Sequence, residues 1–211
     1  MSESTNTVSD VTAVILAGGM SRRLGRNKAL EPFQGEPLIH RVIGKLARVA
    51  SNIIVVANDV ERVAELDLSP DVIPVIDEYP GKGSLGGIYT GLNAAPTEWA
   101  VFCACDMPFP SPRLYRALLS NRETNDAVVP VVDGRPEPIH AAYSRACLEP
   151  IREKLAADRL KISGFFDDVR VCYFTEDKVR EIDPDLLSFF NINTQKDLEK
   201  ANRIALTSTE E

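Results

Sequence analysis

The sequence predicts a single α/β domain whose mostly parallel sheet carries helices on both faces. Short apolar runs at 11–15, 52–57 and 99–104 alternate with segments whose apolar residues have helical spacing. Parallel strands that are buried on both faces have this continuous apolar character. No Pro/Ser/Gly-rich linker interrupts the 211 residues, so we expect one three-layer domain with a substantial core.

The predicted elements alternate along the whole chain, between ends that we expect to be flexible at 1–10 and 207–211 and around a domain at 11–206. A hairpin formed by 126–132 and 138–143 across Asp133-Gly134 adds a strand of opposite direction at one edge of the sheet. Besides the three strands above, we predict strands at 72–76 (near an edge because of Pro74) and 169–174, and helices at 36–50, 59–66, 112–120, 145–157, around 162–166 and from 194 onward.

Composition and charge exclude several classes of protein. A formal net charge of −7 argues against general nucleic-acid binding. No apolar stretch approaches the ~20 residues of a membrane span, and the first residues are polar, so we expect a cytoplasmic protein without a membrane partner. Cys103 and Cys105 lie on one face of a predicted strand. A metal pair is the alternative there, but we favour small buried apolar side chains.

The most informative stretch is the glycine-rich turn between the first strand and the first helix, which carries three arginines and Lys28. Glycine lets the backbone approach a ligand, and its N–H groups with nearby cations bind phosphate. Ala29 after Lys28 excludes a P-loop, and the adjacent Gly18 and Gly19 exclude the dinucleotide fingerprint. A structural turn with surface arginines is the alternative.

Residues 16–28, Leu-Ala-Gly-Gly-Met-Ser-Arg-Arg-Leu-Gly-Arg-Asn-Lys, resemble the signature of nucleotidyltransferases that activate small phosphorylated molecules with NTPs. The double glycine is most similar to the molybdenum cofactor guanylyltransferases, with Leu24 in place of the usual Met. The resemblance extends from residue 11 to about 205. It implies a Rossmann-type fold like that of the nucleotide-diphospho-sugar transferases, and catalytic roles for Arg23, Lys28 and Asp106.

Asp106 follows the fourth strand, where ligands of open α/β sheets bind. Its Asp-x-Pro matches the family motif in which the aspartate binds Mg²⁺, so the resemblance makes Asp106 the metal ligand. A helix-capping role is the alternative, but Ser111 before Pro112 already supplies that cap.

A second glycine-rich segment, 77–92, is interpreted as a loop that the family uses around the nucleotide, with Ser84 where many members carry Pro. A helix packed closely through Gly86, Gly87 and Gly91 is the alternative. Asp77 could reach the base or the ribose. The resemblance implies a nucleotide site formed by Leu16, Ala17, Gly18, Gly19, Lys28, Asn58, Asp77, Gly86 and Asp106.

The resemblance places the acceptor on the other side of the cleft, with Arg135 and His140 of the hairpin as candidates. For a lone His in an apolar run, a structural role is the alternative. Asn191 and Asn193 belong to a Phe-x-Asn-Ile-Asn-Thr stretch typical of the family. In an extended segment they share one face opposite Ile192, which favours a site over simple turn formation.

The implied reaction joins GTP, with Mg²⁺, to molybdopterin or its molybdenum form, giving the guanine dinucleotide cofactor and pyrophosphate. The product would pass to molybdoenzymes or their chaperones. Two alternatives stay open: another small-molecule nucleotidyltransferase, such as the cytidylyltransferase acting on the same pterin, and a non-catalytic module that binds nucleotide or cofactor.

Overall fold

The computed structural model describes residues 8–18 and 27–207, which form one α/β domain. Its strands are β1 Val8–Leu16, β2 Pro32–Phe33, β3 Glu36–Pro37, β4 Ala50–Ala57, β5 Val72–Ile76, β6 Trp99–Ala104, β7 Ala127–Val132, β8 Arg135–Pro136, β9 Ala142–Ser144 and β10 Val171–Phe174. Its α-helices are α1 Leu38–Leu46, α2 Val60–Glu65, α3 Gly83–Ala94, α4 Pro112–Leu119, α5 Leu148–Ala156, α6 Glu176–Arg180 and α7 Gln195–Thr207. Short 3-10 helices cover Lys28–Leu30, Arg145–Cys147, Ile162–Asp168 and Leu187–Phe189.

The main sheet has the strand order β10-β7-β9-β6-β1-β4-β5, with β8 paired to β7. Strand β1 is parallel to both β4 and β6, and β4 is parallel to β5, which confirms the predicted parallel core. Pro74 lies on β5 at the end of this order, as expected of a residue that cannot donate to the ladder.

The prediction that a hairpin adds a strand of opposite direction at one edge of the sheet is wrong in two respects. Strand β9 is antiparallel to both β6 and β7, so the strand of opposite direction lies inside the sheet and not at its edge. The return arm is also not one strand. Pro136 ends the short strand β8, and a turn closed by a hydrogen bond from His140 N to Glu137 O precedes β9. Pro136 and Pro138 have no backbone N–H, so the ladder is interrupted at this point.

Side chains of the central strand β1 pack into two apolar clusters, one on each face of the sheet. Val11, Ala13 and Ile15 face α1, α4 and α6 in one apolar cluster, whereas Val14 faces α3, α5 and the 3-10 helix at 162–168 in another. Every one of these four side chains is fully buried. This is the pattern of a parallel sheet covered on both faces, and it confirms the predicted three layers.

The second glycine-rich segment is a turn at 77–82 that leads into the helix α3, Gly83–Ala94. Gly86, Gly87 and Gly91 lie inside α3, and a Cβ on Gly87 would come within 3.1 Å of Leu16 Cδ2. A Cβ on Gly91 would overlap Val14 Cγ1 and lie 3.3 Å from Phe102 Cε1. The close approach that Gly87 and Gly91 permit is therefore between α3 and the sheet, which is the helix-packing alternative for these two glycines.

The ends of the domain also differ from the predicted bounds. Strand β1 begins at Val8, three residues before the predicted strand, because Val8 pairs with Ala50 and the Asp10 carboxylate forms an ion pair of 2.8 Å with Arg122. Residues 8–10 are thus not a flexible lead-in. At the other end α7 continues to Thr207. Residues 1–7 and 208–211 lie outside the described part of the chain. Among the described helices, none has the length and apolar character needed to cross a membrane.

Candidate active site

The candidate site lies where β1 and β6 end side by side, with Leu16 paired to Ala104. Lys28 Nζ lies 3.0 Å from Asp106 Oδ2 and 2.7 Å from Asn193 Oδ1. The Lys28 and Asp106 side chains are 16% and 19% exposed, so this ion pair is largely withdrawn from solvent yet open to a ligand. Asp106 follows Lys28 by 78 positions in the sequence, and Asn193 follows Asp106 by 87. The fold thus brings these three distant residues into one polar cluster.

Backbone contacts hold this cluster in place. Asn27 caps the 3-10 helix that presents Lys28, since its side chain accepts a hydrogen bond of 3.2 Å from the Ala29 amide. The amide of Ile192 donates to the Asp106 carbonyl at 2.9 Å, which fixes the asparagine segment to the end of β6. Asp197 Oδ2, in the first turn of α7, accepts from the amides of Asn193 and Thr194, and the Asp197 amide donates to Thr194 Oγ1 at 3.2 Å, so Thr194 and Asp197 form a capping box at the start of this helix.

The alternation expected for the asparagine segment is present. Ile192 is 1% exposed and packs with Phe33 and Leu38, whereas Asn191 and Asn193 both line a cavity of about 380 Å³. Leu16, Lys28 and Asp106 line the same cavity. The structure therefore brings five sequence-predicted residues to one cleft at the carboxyl ends of the strands.

Among the described residues, the other predicted nucleotide contacts, Ala17, Gly18, Asn58, Asp77 and Gly86, do not line this cavity. Asn58 Nδ2 donates to the Gly18 carbonyl at 2.6 Å, and a Cβ on Gly18 would overlap Asn58 Oδ1, so Asn58 holds the start of the glycine turn. Asp77 Oδ1 accepts from the Tyr79 amide at 3.0 Å and from Thr90 Oγ1 at 2.8 Å. Gly86 allows this turn to pack on α3, since a Cβ there would lie 2.9 Å from Tyr79 O. Ala17 is buried behind the same edge.

His140 does not fit its predicted contact with the acceptor. Its ring is fully buried and stacks on Tyr115, with 4.3 Å between the ring centroids. The Tyr115 hydroxyl donates to Phe102 O at 2.7 Å and lies 3.1 Å from His140 Nδ1, so Nδ1–H is the donor of that second bond. Burial lowers the pKa of His140 to about 3. The imidazole is therefore a neutral interior group behind the cleft wall. His140 thus has the structural role that the sequence left open as the alternative to acceptor binding.

Arg135 is exposed on β8, and the cavity wall comes instead from the residues that follow it. Glu137, Pro138 and Ile139 line the cleft within the turn. The pKa of Glu137 is raised by burial and, to a smaller extent, by the charge of Asp133. Sequence reasoning chose the right segment but treated it as one extended strand; the two prolines beside Glu137 were the signal against that choice.

Four further lining residues were also missed: Ser84, Ala104, Cys105 and Met107. Cys105 and Cys103 are buried free thiols whose pKa burial raises to about 12, so both are protonated apolar groups at neutral pH. In the described residues, 8–18 and 27–207, no group of three His, Cys, Asp or Glu side chains could hold a metal ion. Gly19 and Arg23, which the resemblance placed in the site, lie outside these residues.

The model of the MobA-like NTP transferase domain matches residues 13–167, which include β1, Lys28 and Asp106. The chain belongs to the MobA-like NTP transferase family. A molybdenum cofactor guanylyltransferase of Desulfosudis oleivorans is 40% identical over 194 residues, which cover 90% of this chain and 94% of that protein. The matched range includes every residue that lines the cleft except Asn191 and Asn193.

Two solved structures have folds similar to that of this chain. The molybdopterin-guanine dinucleotide biosynthesis protein A of Archaeoglobus fulgidus superposes with a TM-score of 0.82 at 29% identity, covering 93% of this chain and all of that one. The 2-C-methyl-D-erythritol 4-phosphate cytidylyltransferase of Thermus thermophilus reaches a TM-score of 0.67 at 17% identity, covering 94% of this chain and all of that one. The second likeness is one of fold alone.

The donor set of this MobA-like cleft fits Mg²⁺ better than a metal held by protein alone. Asp106 supplies one carboxylate, and Asn191 and Asn193 bring amide side chains to the same cavity. Mg²⁺ is commonly bound by one or two carboxylates, water and the phosphates of a substrate. The Asp106 carboxylate and these amide oxygens are donors of the kind that Mg²⁺ takes when substrate phosphates complete its coordination.

Proposed function

We propose that this chain transfers the GMP group of GTP to the terminal phosphate of molybdopterin, or of its molybdenum-bearing form, and releases pyrophosphate. The observation that carries the proposal is the Lys28–Asp106–Asn193 cluster, with its ion pair of 3.0 Å at the carboxyl end of β6 in a cavity of about 380 Å³. Membership in the MobA-like family and relatives named molybdenum cofactor guanylyltransferases support the choice of substrates.

The chemistry needs no general base. An oxygen of the pterin phosphate, already anionic at neutral pH, forms a bond to the α-phosphorus of GTP. The bond from that phosphorus to the bridging oxygen of the β-phosphate breaks, and pyrophosphate leaves with the electron pair. Catalysis then consists of holding two anions in line and neutralising the charge that collects between them.

Lys28 and Asp106 have complementary parts in this reaction. Lys28 Nζ lies close enough to Asp106 and Asn193 to exchange either contact for a phosphate oxygen, which would place its charge on the triphosphate. Asp106 would then be released to hold Mg²⁺ against the same phosphates, and the ion supplies further charge neutralisation when bound. We expect Arg23 to add a second cation, in line with its position in the family signature.

The two walls of the cleft suggest how the substrates are arranged. We place the nucleotide along the edge formed by β1, β4 and β5, where Asn58 holds Gly18 and where Asp77 keeps Oδ2 available after Oδ1 has accepted two bonds. One available carboxylate oxygen suits either a ribose hydroxyl or a guanine N–H donor. We place the pterin between the Glu137–Ile139 turn and the Asn191/Asn193 segment.

The decisive experiment is product identification. Purified protein, Mg²⁺ and molybdopterin are incubated with labelled GTP, CTP or ATP, and the dinucleotide is identified by mass. We expect the guanine product with GTP, in excess over the others, because a site that hydrogen-bonds one base edge can reject another by as much as ~10⁴. A cytosine dinucleotide would identify a cytidylyltransferase instead. Tight GTP binding without any product would identify a binding module.

We also propose that the protein works in the cytoplasm and passes its product to molybdoenzymes or their chaperones. The four free cysteines, three of them buried, support a reducing compartment. Detection of the protein in fractionated cells, and transfer of the labelled dinucleotide to an apo-molybdoenzyme, are the corresponding measurements.

A further inference from the structure

Glu137 stands on the wall of the cleft that the turn between β8 and β9 forms. It lines the cavity of about 380 Å³ beside Pro138 and Ile139. Its main-chain groups are already used inside the turn, because its amide donates to Pro130 O at 2.8 Å and its carbonyl accepts from the His140 amide at 3.1 Å. The carboxyl group is therefore the polar group that Glu137 offers to a ligand.

This carboxyl group is held in surroundings that disfavour its charge. The Glu137 side chain is partly buried and forms no hydrogen bond or ion pair with residues 8–18 and 27–207. Burial, and to a smaller extent the charge of Asp133, raises its pKa. Asp106 on the facing wall is already paired with Lys28 at 3.0 Å. A ligand that donates hydrogen bonds to both oxygens of Glu137 therefore removes a cost that Asp106 does not bear.

The charges of the cavity fix the direction in which an anionic acceptor lies. Glu137 repels a phosphate, whereas Lys28 on the facing wall attracts one. The phosphate end of the acceptor therefore points towards Lys28, and the opposite end of the molecule reaches Glu137. Pro138 and Ile139 add apolar surface beside the carboxyl group. This combination suits a flat ring whose outer edge carries N–H donors.

We propose that Glu137 binds the donor edge of the acceptor's pterin ring and thereby selects the acceptor, an inference that rests on the proposed function. A 2-amino-4-oxopteridine carries its N3–H and a 2-amino N–H side by side. A carboxylate accepts two such parallel bonds at once, as it does from the two N–H groups of a guanidinium. A ring with an oxygen at position 2 sets an acceptor against a carboxylate oxygen and is rejected.

Guanine carries the same pair of donors, so GTP is a second source of this chemistry. The strand order separates the two substrates. The turn that holds Glu137 follows β8, which pairs with β7, whereas the edge where we place the nucleotide is formed by β1, β4 and β5 on the other side of β6. We therefore assign the pterin ring, and not guanine, to Glu137.

Pteridine fluorescence measures this selection without any turnover. The full-length protein, with Mg²⁺ and α,β-methylene-GTP in the nucleotide site, is titrated at pH 7 with 6-(phosphonooxymethyl)pterin or with 6-(phosphonooxymethyl)lumazine. The two probes share the phosphate and differ at position 2, where lumazine carries an oxygen in place of the amino group. We expect the pterin probe to bind about 10- to 100-fold more tightly, because lumazine replaces a hydrogen-bond donor with an acceptor.

Glu137→Gln should reverse this preference. Its amide has one acceptor and one donor, which match the N3–H and the 2-oxo group of lumazine. We expect the variant to bind the pterin probe about tenfold more weakly than the parent does, and the lumazine probe more tightly than the pterin probe. Asp133→Asn is the matched control, since it removes an exposed charge from the neighbouring turn without lining the cavity, and it should keep the parent's preference. The same preference in parent and Glu137→Gln, or loss of both probes in that variant, overturns the inference.

Calorimetric titration of the parent and Glu137→Gln with GTP and with ITP, which lacks the 2-amino group, separates the two sources of the donor edge. We expect the same ratio of the two affinities in both proteins. A ratio that falls in the variant shows that Glu137 binds guanine and overturns the assignment to pterin. If the parent binds neither probe, the inference is wrong, while formation of the guanine dinucleotide from molybdopterin still supports the proposed function. Selective binding of the pterin probe without product supports the inference and identifies a binding module.

Discussion

The two walls of the cleft are held in different ways. On the wall formed by the ends of β1 and β6, Lys28 and Asp106 are paired at 3.0 Å and braced by Asn193. The opposite wall is a turn in which Glu137 is partly buried and pairs with no cation of residues 8–18 and 27–207, and burial raises the pKa of its carboxyl. One wall holds matched opposite charges, and the other holds a carboxyl whose ionised form its surroundings disfavour.

The difference indicates a division of labour. Charge-matched groups with little exposure suit highly charged triphosphate and metal, because the partners are already oriented and exchange one ion pair for another. A turn with one weakly solvated carboxyl and the apolar residues Pro138 and Ile139 suits a larger, less charged ring system. Changes on the first wall should therefore alter turnover most strongly, whereas changes at the titratable groups Glu137 and His140, on or behind the second wall, should also alter the pH dependence of stability.

The largest effect is expected for Lys28→Ala. Loss of this cation removes charge neutralisation during phosphoryl transfer, so kcat should fall by about 10²–10³. Steady-state kinetics with GTP and molybdopterin measure the change. Lys154→Ala is the matched control, because Lys154 is 18% exposed and pairs with Asp168 at 2.7 Å on α5, away from the cleft. A turnover number within twofold of the parent would remove Lys28 from the site.

Asp106→Asn should lower activity by about tenfold to a hundredfold and raise the magnesium concentration needed for half-maximal rate. The substitution keeps the shape of the side chain, and the backbone bond from Ile192 to the Asp106 carbonyl survives, so circular dichroism should be unchanged. Asp168→Asn serves as the control outside the cleft. An unchanged magnesium midpoint would mean that the carboxylate has only a structural part.

Sequence reasoning succeeded where the parallel arrangement of the strands determines the position of a residue. Asp106 and Leu16 follow buried apolar runs, and neighbouring parallel strands deliver their carboxyl ends to one edge. Recognising the strands placed Asp106 at this edge, whereas Leu16, Asn191 and Asn193 were assigned to the site through the family resemblance. The ion pair between Lys28 and Asp106 was beyond prediction, because its geometry depends on the 3-10 helix that presents Lys28.

Sequence reasoning failed where the local composition did not show which residues a segment packs against in the fold. The small residues of α3 were expected to face a ligand, but Gly91 faces Val14 of β1, which no local pattern encodes. The 138–143 run was expected to be one strand, yet β9 alone joins the sheet, between β6 and β7. His140, which the resemblance made a candidate for the acceptor side of the cleft, is instead buried against Tyr115.

His140 is buried behind the second wall, and its burial predicts that the free energy of unfolding of the protein decreases in acid. Its folded pKa of about 3 lies below the ordinary value of 6.5, so the unfolded chain binds an extra proton between these limits. Stability is thus highest above pH 6.5 and falls as the pH decreases towards 3, by up to about 1.4 kcal/mol per pH unit for one proton.

His140→Leu should remove this dependence. The variant loses the bond to Tyr115, so at pH 7.5 we expect it to be less stable by about 1 kcal/mol. On lowering the pH to 5, the parent should lose about 2 kcal/mol relative to the variant. Urea unfolding at both values measures it, with His40→Gln as the other-histidine control. Equal acid dependence in parent and His140→Leu would contradict a buried neutral imidazole.

The smallest effect is expected for Glu137→Gln. Because burial and then Asp133 raise the pKa of Glu137, the folded protein binds this proton more tightly than the unfolded chain does. The carboxyl therefore costs stability as the pH rises above its unfolded value of about 4.3. The neutral amide removes that cost, so the free energy of unfolding at pH 7 should increase, by less than about 1 kcal/mol for a partly buried side chain.

The pH profile separates this cause from any change in packing. At pH 3.5 the parent carboxyl is mostly protonated, so the advantage of the glutamine variant should shrink there, and urea unfolding at pH 3.5 and 7 tests the difference. Asp133→Asn removes only the smaller of the two causes and should give a smaller gain. A glutamine variant whose gain is the same at both pH values would show that packing, and not the charge of Glu137, distinguishes this wall from the one that carries Lys28 and Asp106.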